Sequence, residues 1–196
     1  MILSQPALRA AVEAGEVAFD PPLEERQWGE ASVDLRLGFG FTILDKGLSG
    51  ITLSVAEGMQ AIEKAGFWKT KELGERDAHG KRESFVLDPG EFVLAMTHES
   101  VTVPRNLIAM VEGRSTYARL GLSMHQTAPW IQPGWSGRIV LEIMNNGPLK
   151  IQLTPIVDRP CQLTFFELTD ALPDGVSYGS KPSDRYKGQT HPISRD

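Results

Sequence analysis

The chain has 196 residues, 41% hydrophobic and 23% charged, a globular composition long enough to bury a core without disulfides or a structural metal. Its formal net charge is -5 and its pI about 5.4, so it lacks the basic excess of a duplex nucleic-acid or anionic-membrane binder, although a few converging arginines can still hold a small polyanion. The single Cys161 excludes an intramolecular disulfide framework, and with no long apolar run and no basic leader the expected location is cytoplasmic, without a membrane span.

The whole chain, 1–196, reads as one domain. The first element is a helix: Ser4 stands at the N-cap, Pro6 fits a first turn, Ala7, Leu8, Ala11 and Val12 make an apolar stripe, and Gly15 is the stop. Residues 31–44 alternate as strands do, with Val33, Leu35 and Leu37 on one face and Ser32, Asp34 and Arg36 on the other. Residues 55–84 carry many charges and four glycines, and are expected to be an insertion or mobile excursion with a short helix around Met59–Lys64.

From Ser84 onward, short apolar runs are cut by turn residues. An Asp-Pro-Gly turn separates FVL from EFVLAMT, ESVTVP ends at Pro104, LIAMVEG ends at Gly113, and GRIVLEIMNNG ends in Asn-Asn-Gly. LKIQLTP and CQLTFFEL follow. Many short strands with frequent turns, together with 19 glycines and 13 prolines, predict a mainly β sandwich, jelly roll or barrel. After Leu168 the chain turns polar, and 170–196 reads as a tail that cannot build a core of its own.

Two places carry chemistry. VEGRSTYARLGL reads as a strand end, a short helix with Ser115 at its N-cap, and a glycine stop; Arg119 lies one turn on from Ser115. Backbone N–H groups, the Ser115 and Thr116 hydroxyls and the Arg114 guanidinium would converge there on phosphate oxygens, unless the segment is only a capped helix with surface arginines. In GRIVLEI, Ile139, Leu141 and Ile143 share one strand face and Arg138, Val140 and Glu142 the other. Glu142 faces either water or a pocket, and in a pocket it becomes a candidate proton shuttle. One cysteine rules out a His-x-Glu…Pro-Cys-x-x-Cys zinc site, the histidines at 79, 98, 125 and 191 have no ligand spacing, and there is no Walker A loop or dinucleotide fingerprint. His125 reads as a packed strand residue.

GRSTYARLGL followed by HQTAPWIQPGWSGRIVLEIMNNGPL resembles the core of the dCTP deaminases, relatives of the trimeric dUTPases. ASVDLRLG at 31–38 is similar to the family's first strand and LDPGEFVLAMTHESVTVP at 87–104 to its central hairpin. Tyr178 and RYKGQ at 185–189 are similar to its closing tail. The resemblance implies a distorted β jelly roll, a homotrimer with sites between subunits, and removal of the cytosine 4-amino group without zinc, with Mg²⁺ riding on the triphosphate. By position, Glu142 matches the general acid/base. Ser115 and the Ala128 carbonyl match the groups that place the water, and Arg119 their support. Arg114, Ser115, Thr116, Tyr117, Ala118 and Arg119 fall in the nucleotide-binding segment, Gln132 and Val140 beside sugar and base, and Gln162, Tyr178, Arg185 and Gln189 among the residues that close over the ligand. The implied ligands are dCTP and, as alternatives, dUTP or dTTP, with no nucleic acid or membrane partner.

Three departures from the family pattern bear on activity. Gln132 stands where the family usually has an aspartate, which disfavours a further dUTPase-type step because an amide cannot act as a carboxylate base. Trp130 points the other way, being similar to the aromatic of members that continue to dUMP and diphosphate. Arg185 replaces a common lysine. The implied activity is therefore dCTP to dUTP and ammonia, with a bifunctional enzyme or a nucleotide-binding regulatory homologue as the alternatives.

Overall fold

In the computed structural model, residues 1–45, 47, 51–52, 54, 66–181, 184, 186, 188 and 191–193 are described. Helix α1 (Gln5–Glu13) starts behind Ser4, whose extended backbone fills the cap position without a side-chain bond, and Pro6 occupies its first turn. It ends at Gly15, in the left-handed region at φ 73°. Of the expected stripe Leu8 is buried and Ala11 and Val12 pack on the core, while Ala7 is exposed.

Three antiparallel sheets follow. The largest has the order β4 (Trp68–Glu72), β3 (Leu37–Leu44), β6 (Phe92–Thr102), β10 (Ser136–Asn145), β8 (Leu122–Ser123), with β1 (Ala18–Asp20) also paired to β6. The second has the order β2 (Val33–Leu35), β12 (Cys161–Glu167), β7 (Leu107–Gly113), β9 (Trp130–Ile131). The third pairs β11 (Ile151–Leu153) with β5 (Phe85–Leu87). The two larger sheets bury one continuous core: Phe41, Val93, Ala95, Leu141 and Ile143 from the first meet Val33, Leu35, Val111, Leu163 and Phe165 from the second. Phe19 sets its ring edge-on to Phe165 at 6.3 Å between centroids, tying β1 to β12. The expected mainly β jelly-roll architecture with a short N-terminal helix is the one observed. A 3₁₀ turn (Glu25–Gln27) and a single helical turn, α2 (Ser115–Ala118), add short helical elements.

Four local expectations are corrected. The strand expected over 31–44 is broken at Arg36, where the chain passes from the second sheet to the first. Arg36 is buried there: its Nε lies 2.6 Å from the wholly buried Glu99, its N–H donates to the same carboxylate at 2.8 Å, and its Nη1 reaches Glu24 at 2.7 Å. The Asp-Pro-Gly turn does not close a hairpin, because β5 pairs with β11 while β6 pairs with β3, β10 and β1. The stretch 55–84 is not wholly an excursion, since Trp68–Glu72 forms the edge strand β4; the helix expected around Met59–Lys64 lies outside the described residues. Ser115 is the first helical residue of α2, and Arg114 is the cap.

Candidate active site

β10 carries Glu142 to the wall of a cavity of about 470 Å³, within the usual range for small-molecule sites. Along the strand Ile139, Leu141 and Ile143 are buried in the core while Val140 and Glu142 are half-buried, so the alternation read from sequence is the alternation observed. A carboxylate in this position needs donors. The Gln126 backbone N–H donates to Glu142 Oε2 at 3.0 Å, the Gln126 side-chain amide donates to the Glu142 carbonyl at 3.0 Å, and the Glu142 N–H donates to the Met124 carbonyl at 3.0 Å. The segment 124–126 thus grips β10 from the side, and two residues further Ala128 lines the same cavity.

The rest of the wall is largely apolar. Leu94, Phe92, Trp68, Trp135, Trp130 and Val140 line it, with Gln132 at its rim and Tyr178 from the tail. Tyr178 is docked: its N–H donates to the Pro133 carbonyl at 2.8 Å and its ring lies 5.4 Å from that of Trp135. Low polarity around one held carboxylate strengthens its interaction with any polar group that enters.

A second cavity, of about 300 Å³, is lined by Ser32, Asp34, Arg114, Ser115, Thr116 and Gln162, among others. It contains Arg114, Ser115 and Thr116 at the start of α2, whose first N–H groups have no acceptor within so short a helix. Asp34 lies between two arginines, 3.0 Å from Arg114 Nε and 3.4 Å from Arg159 Nη1. Burial nevertheless pushes its carboxyl above the ordinary aspartate value, against the pull of those two cations. Arg114 also donates to the Arg159 carbonyl at 3.0 Å. Behind this corner Tyr117 donates its hydroxyl to Asp158 at 2.8 Å and accepts the Arg159 N–H at 3.1 Å; burial and the Asp158 charge push the phenol up to about 12.

The structure thus brings together two sets of the sequence-derived residues. Glu142, Ala128, Gln132, Val140 and Tyr178 share the larger cavity, and Arg114, Ser115, Thr116 and Gln162 the smaller one; no residue lines both. Ala118 and Arg119 are exposed and line neither, and Tyr117 is half-buried behind the second set. Arg185 and Gln189 lie outside the described residues. His125 is half-buried, its Nε2 3.3 Å from Glu112. Among the described residues no three His, Cys, Asp or Glu side chains form a group able to hold a metal ion. Sequence reasoning passed over Asp34, Arg159, Trp68 and Trp135. The position of Asp34 opposite Val33 and Leu35 was a usable signal, whereas Trp68 sat among charges that drew attention away from it.

Comparison with known proteins identifies the family of the chain. Residues 2–168 match the family model described as dCTP deaminase-like. The chain is 37% identical over 194 residues to the dCTP deaminase of Rhodospirillum rubrum, covering 98% of this chain and 95% of that one. It is 38% identical over 192 residues to the dUMP-forming dCTP deaminase of Methanothermobacter thermautotrophicus, covering 97% and 91%. Among solved structures, the 2'-deoxycytidine 5'-triphosphate deaminase of Agrobacterium tumefaciens superposes with a TM-score of 0.61 at 23% identity. That match covers 84% of this chain and 48% of that one, and at this identity it speaks to the fold.

Proposed function

The chain belongs to the dCTP deaminase-like family, and from that premise we propose that it hydrolyses dCTP to dUTP and ammonia. The observation that carries the reading is Glu142, a held and half-buried carboxylate on the wall of an otherwise largely apolar cavity, beside Val140 and Ala128. In this reading Glu142 takes a proton from a water as the water oxygen bonds to C4 of the cytosine ring. It returns that proton to N3, then takes the second proton from the new C4 hydroxyl and passes it to the amino nitrogen, so that the C4–N bond breaks and ammonia leaves as the C4 carbonyl forms. The Ala128 carbonyl and the Ser115 hydroxyl place the water, and Arg119 supports them. The apolar walls exclude competing water.

The triphosphate goes to the α2 corner, where Arg114, Ser115 and Thr116 offer charge-assisted and neutral donors. A Mg²⁺ ion would be carried there by the phosphates themselves, with no protein side chain as its ligand. When bound, that ion supplies charge neutralisation along the phosphate chain. The two half-sites occupy separate cavities on one chain, which supports a homotrimer in which the α2 corner of one subunit completes the Glu142 cavity of the next. Water activation then rests on Glu142 and not on zinc: the sole cysteine is wholly buried, and burial pushes its thiol far above the ordinary range. Gln162, Tyr178, Arg185 and Gln189 close over the nucleotide. A deoxynucleoside triphosphate substrate supports a cytoplasmic location and a role in dUTP supply for thymidylate synthesis.

Incubation with dCTP, dCMP, dUTP and 5-methyl-dCTP, with products separated by chromatography, tests the proposal. Accumulation of dUTP and ammonia from dCTP is expected. Formation of dUMP and diphosphate would instead assign the bifunctional reaction; the Methanothermobacter relative is named as dUMP-forming. Tight dCTP binding without turnover would assign a regulatory protein.

A further inference from the structure

Trp68 is the first residue of β4, within the charged stretch 55–84. In the β4–β3 ladder Trp68 faces Leu44 and Thr70 faces Thr42; β3 sets Thr42 against Leu94 of β6; and β6 sets Leu94 against Glu142 of β10. Directly paired residues share a face of the sheet, as do residues two apart on one strand. Thr70, Thr42, Leu94 and Glu142 therefore form one row across four strands, and Trp68 lies on the same face, two residues along β4. The cavity agrees with the register, for Trp68, Leu94 and Glu142 all line it.

The indole Nε1 of Trp68 is buried and has no hydrogen-bond partner among the described residues. An indole N–H only donates, and a buried donor left without an acceptor is unfavourable. Its neighbours are satisfied: the Thr42 and Thr70 hydroxyls bond each other at 2.9 Å, and the indole of Trp135, on the same cavity, donates to the Gly137 carbonyl at 3.1 Å. We propose that Trp68 is a further substrate-binding residue of this site, its N–H donating to an acceptor on the pyrimidine held beside Glu142. The identity of that ligand rests on the deaminase reading given above. Cytosine offers O2 and N3 as acceptors and uracil offers O2 and O4, so a bond to O2 would serve substrate and product alike. The edge strand β4 thereby gives the stretch at 55–84 a part in the site.

The test uses the full-length protein and two readouts. Trp68→Phe keeps an aromatic ring and removes the donor. It should raise KM for dCTP about tenfold with kcat at saturation nearly unchanged, the pattern of a lost uniform binding contact. Equal losses of affinity for dCTP and for the non-hydrolysable α,β-imido-dUTP would place the bond on O2. In the ¹⁵N-labelled wild type, the indole resonance that Trp68→Phe removes should move downfield when α,β-imido-dUTP saturates the protein. That measurement stands even where the variant folds poorly. An unshifted resonance with nucleotide bound overturns the proposal, as does unchanged dCTP affinity in a folded variant. A shifted resonance in a protein that releases no ammonia from dCTP would keep Trp68 as a binding residue and overturn the activity alone. Failure to bind either nucleotide overturns both.

Discussion

Asp34 Oδ1 lies 3.0 Å from Nε of Arg114, and the pairing joins the second sheet's edge to the start of α2. Asp34 opposes Gln162 in the β2–β12 ladder, so one side-chain row holds an acid, an amide and, through the acid, the arginine assigned to phosphate. The carboxylate fixes where the guanidinium sits without neutralising the whole corner, because Arg159 stands on its other side. Asp34→Asn keeps the shape and loses the ion pair. Triphosphate affinity should fall about tenfold, the scale of one charge-assisted hydrogen bond, while affinity for the nucleoside deoxycytidine stays unchanged. Calorimetric titration with both ligands checks this; equal losses would mean that Asp34 acts on the fold as a whole.

The Arg36–Glu99 pair is the most deeply buried ionic contact among the described residues. Gln27 donates to the same Glu99 oxygen at 2.9 Å and to the Asp34 carbonyl at 2.8 Å, so this network also fixes the strand that carries Asp34. Arg36→Met leaves the Glu99 charge without its cation in the interior, and should destabilise the protein by about 3–5 kcal/mol. Arg36→Met combined with Glu99→Leu should recover much of that loss. Urea denaturation of both variants measures the difference; a single variant within 1 kcal/mol of wild type, roughly the worth of a surface pair, would show that the network contributes little.

What the sequence made legible follows from the range of the forces involved. Alternation is local, so the buried face of β10 and the position of Glu142 opposite it could be read directly. The helix start at 114–116 was legible to within one residue, because a cap is decided by its neighbours. The break at Arg36 was not, since it depends on Glu99, 63 residues away. β4 was hidden for a similar reason: WKTKE is four-fifths exposed on an edge, and its strand identity comes from pairing with β3. The distribution of site residues over two cavities also lay beyond the sequence, because it depends on which strands become neighbours.

Glu142→Gln should abolish deamination and keep nucleotide binding. Glutamine retains the size and can still accept the Gln126 N–H, yet it cannot carry a proton. A fall in kcat of about 10²–10⁴-fold or more is expected, with dCTP affinity within a few-fold of wild type. Single-turnover assays with binding measured separately decide the matter. Turnover near the wild-type rate would remove Glu142 from the mechanism.

Tyr117 supplies a pH dependence with a definite sign. Its phenol is raised from 10.0 to about 12 by burial and by Asp158, so the neutral form is favoured in the folded state. The stabilisation is complete below the unfolded value, and declines as pH rises from 10.0 toward about 12. The protein should therefore lose stability across that alkaline window, and Tyr117→Phe should flatten the loss. The same variant leaves Asp158 and the Arg159 N–H short of a partner, lowering stability at neutral pH by about 1–3 kcal/mol. Thermal melts of both proteins from neutral to alkaline pH check it; parallel curves would show that Tyr117 titrates normally in the folded state.

The tail from Tyr178 is expected to act as a lid over the Glu142 cavity. Its composition cannot build a core, yet Tyr178 already lies on the cavity wall against Trp135, and Gly188 donates its N–H to the Ser136 carbonyl at 2.9 Å at the head of β10. The other tail residues that the family resemblance assigns to closure, Arg185 and Gln189, belong to the same polar stretch of sequence. Ordering such a segment is entropically unfavourable, so closure is complete only when ligand contacts offset that cost. The core strands do not depend on the tail, for β12 ends at Glu167 with its ladder to β7 complete. Truncation after Thr169 should therefore leave a folded protein with a much higher KM for dCTP, and with lower turnover because the Glu142 cavity stays open to water. Limited proteolysis followed by mass spectrometry gives the independent measurement: cleavage beyond Tyr178 should slow under saturating dCTP in the Glu142→Gln protein, where substrate binds without being consumed. A tail cut equally fast with and without nucleotide, in a truncation variant of unaltered KM, would make it a passive extension.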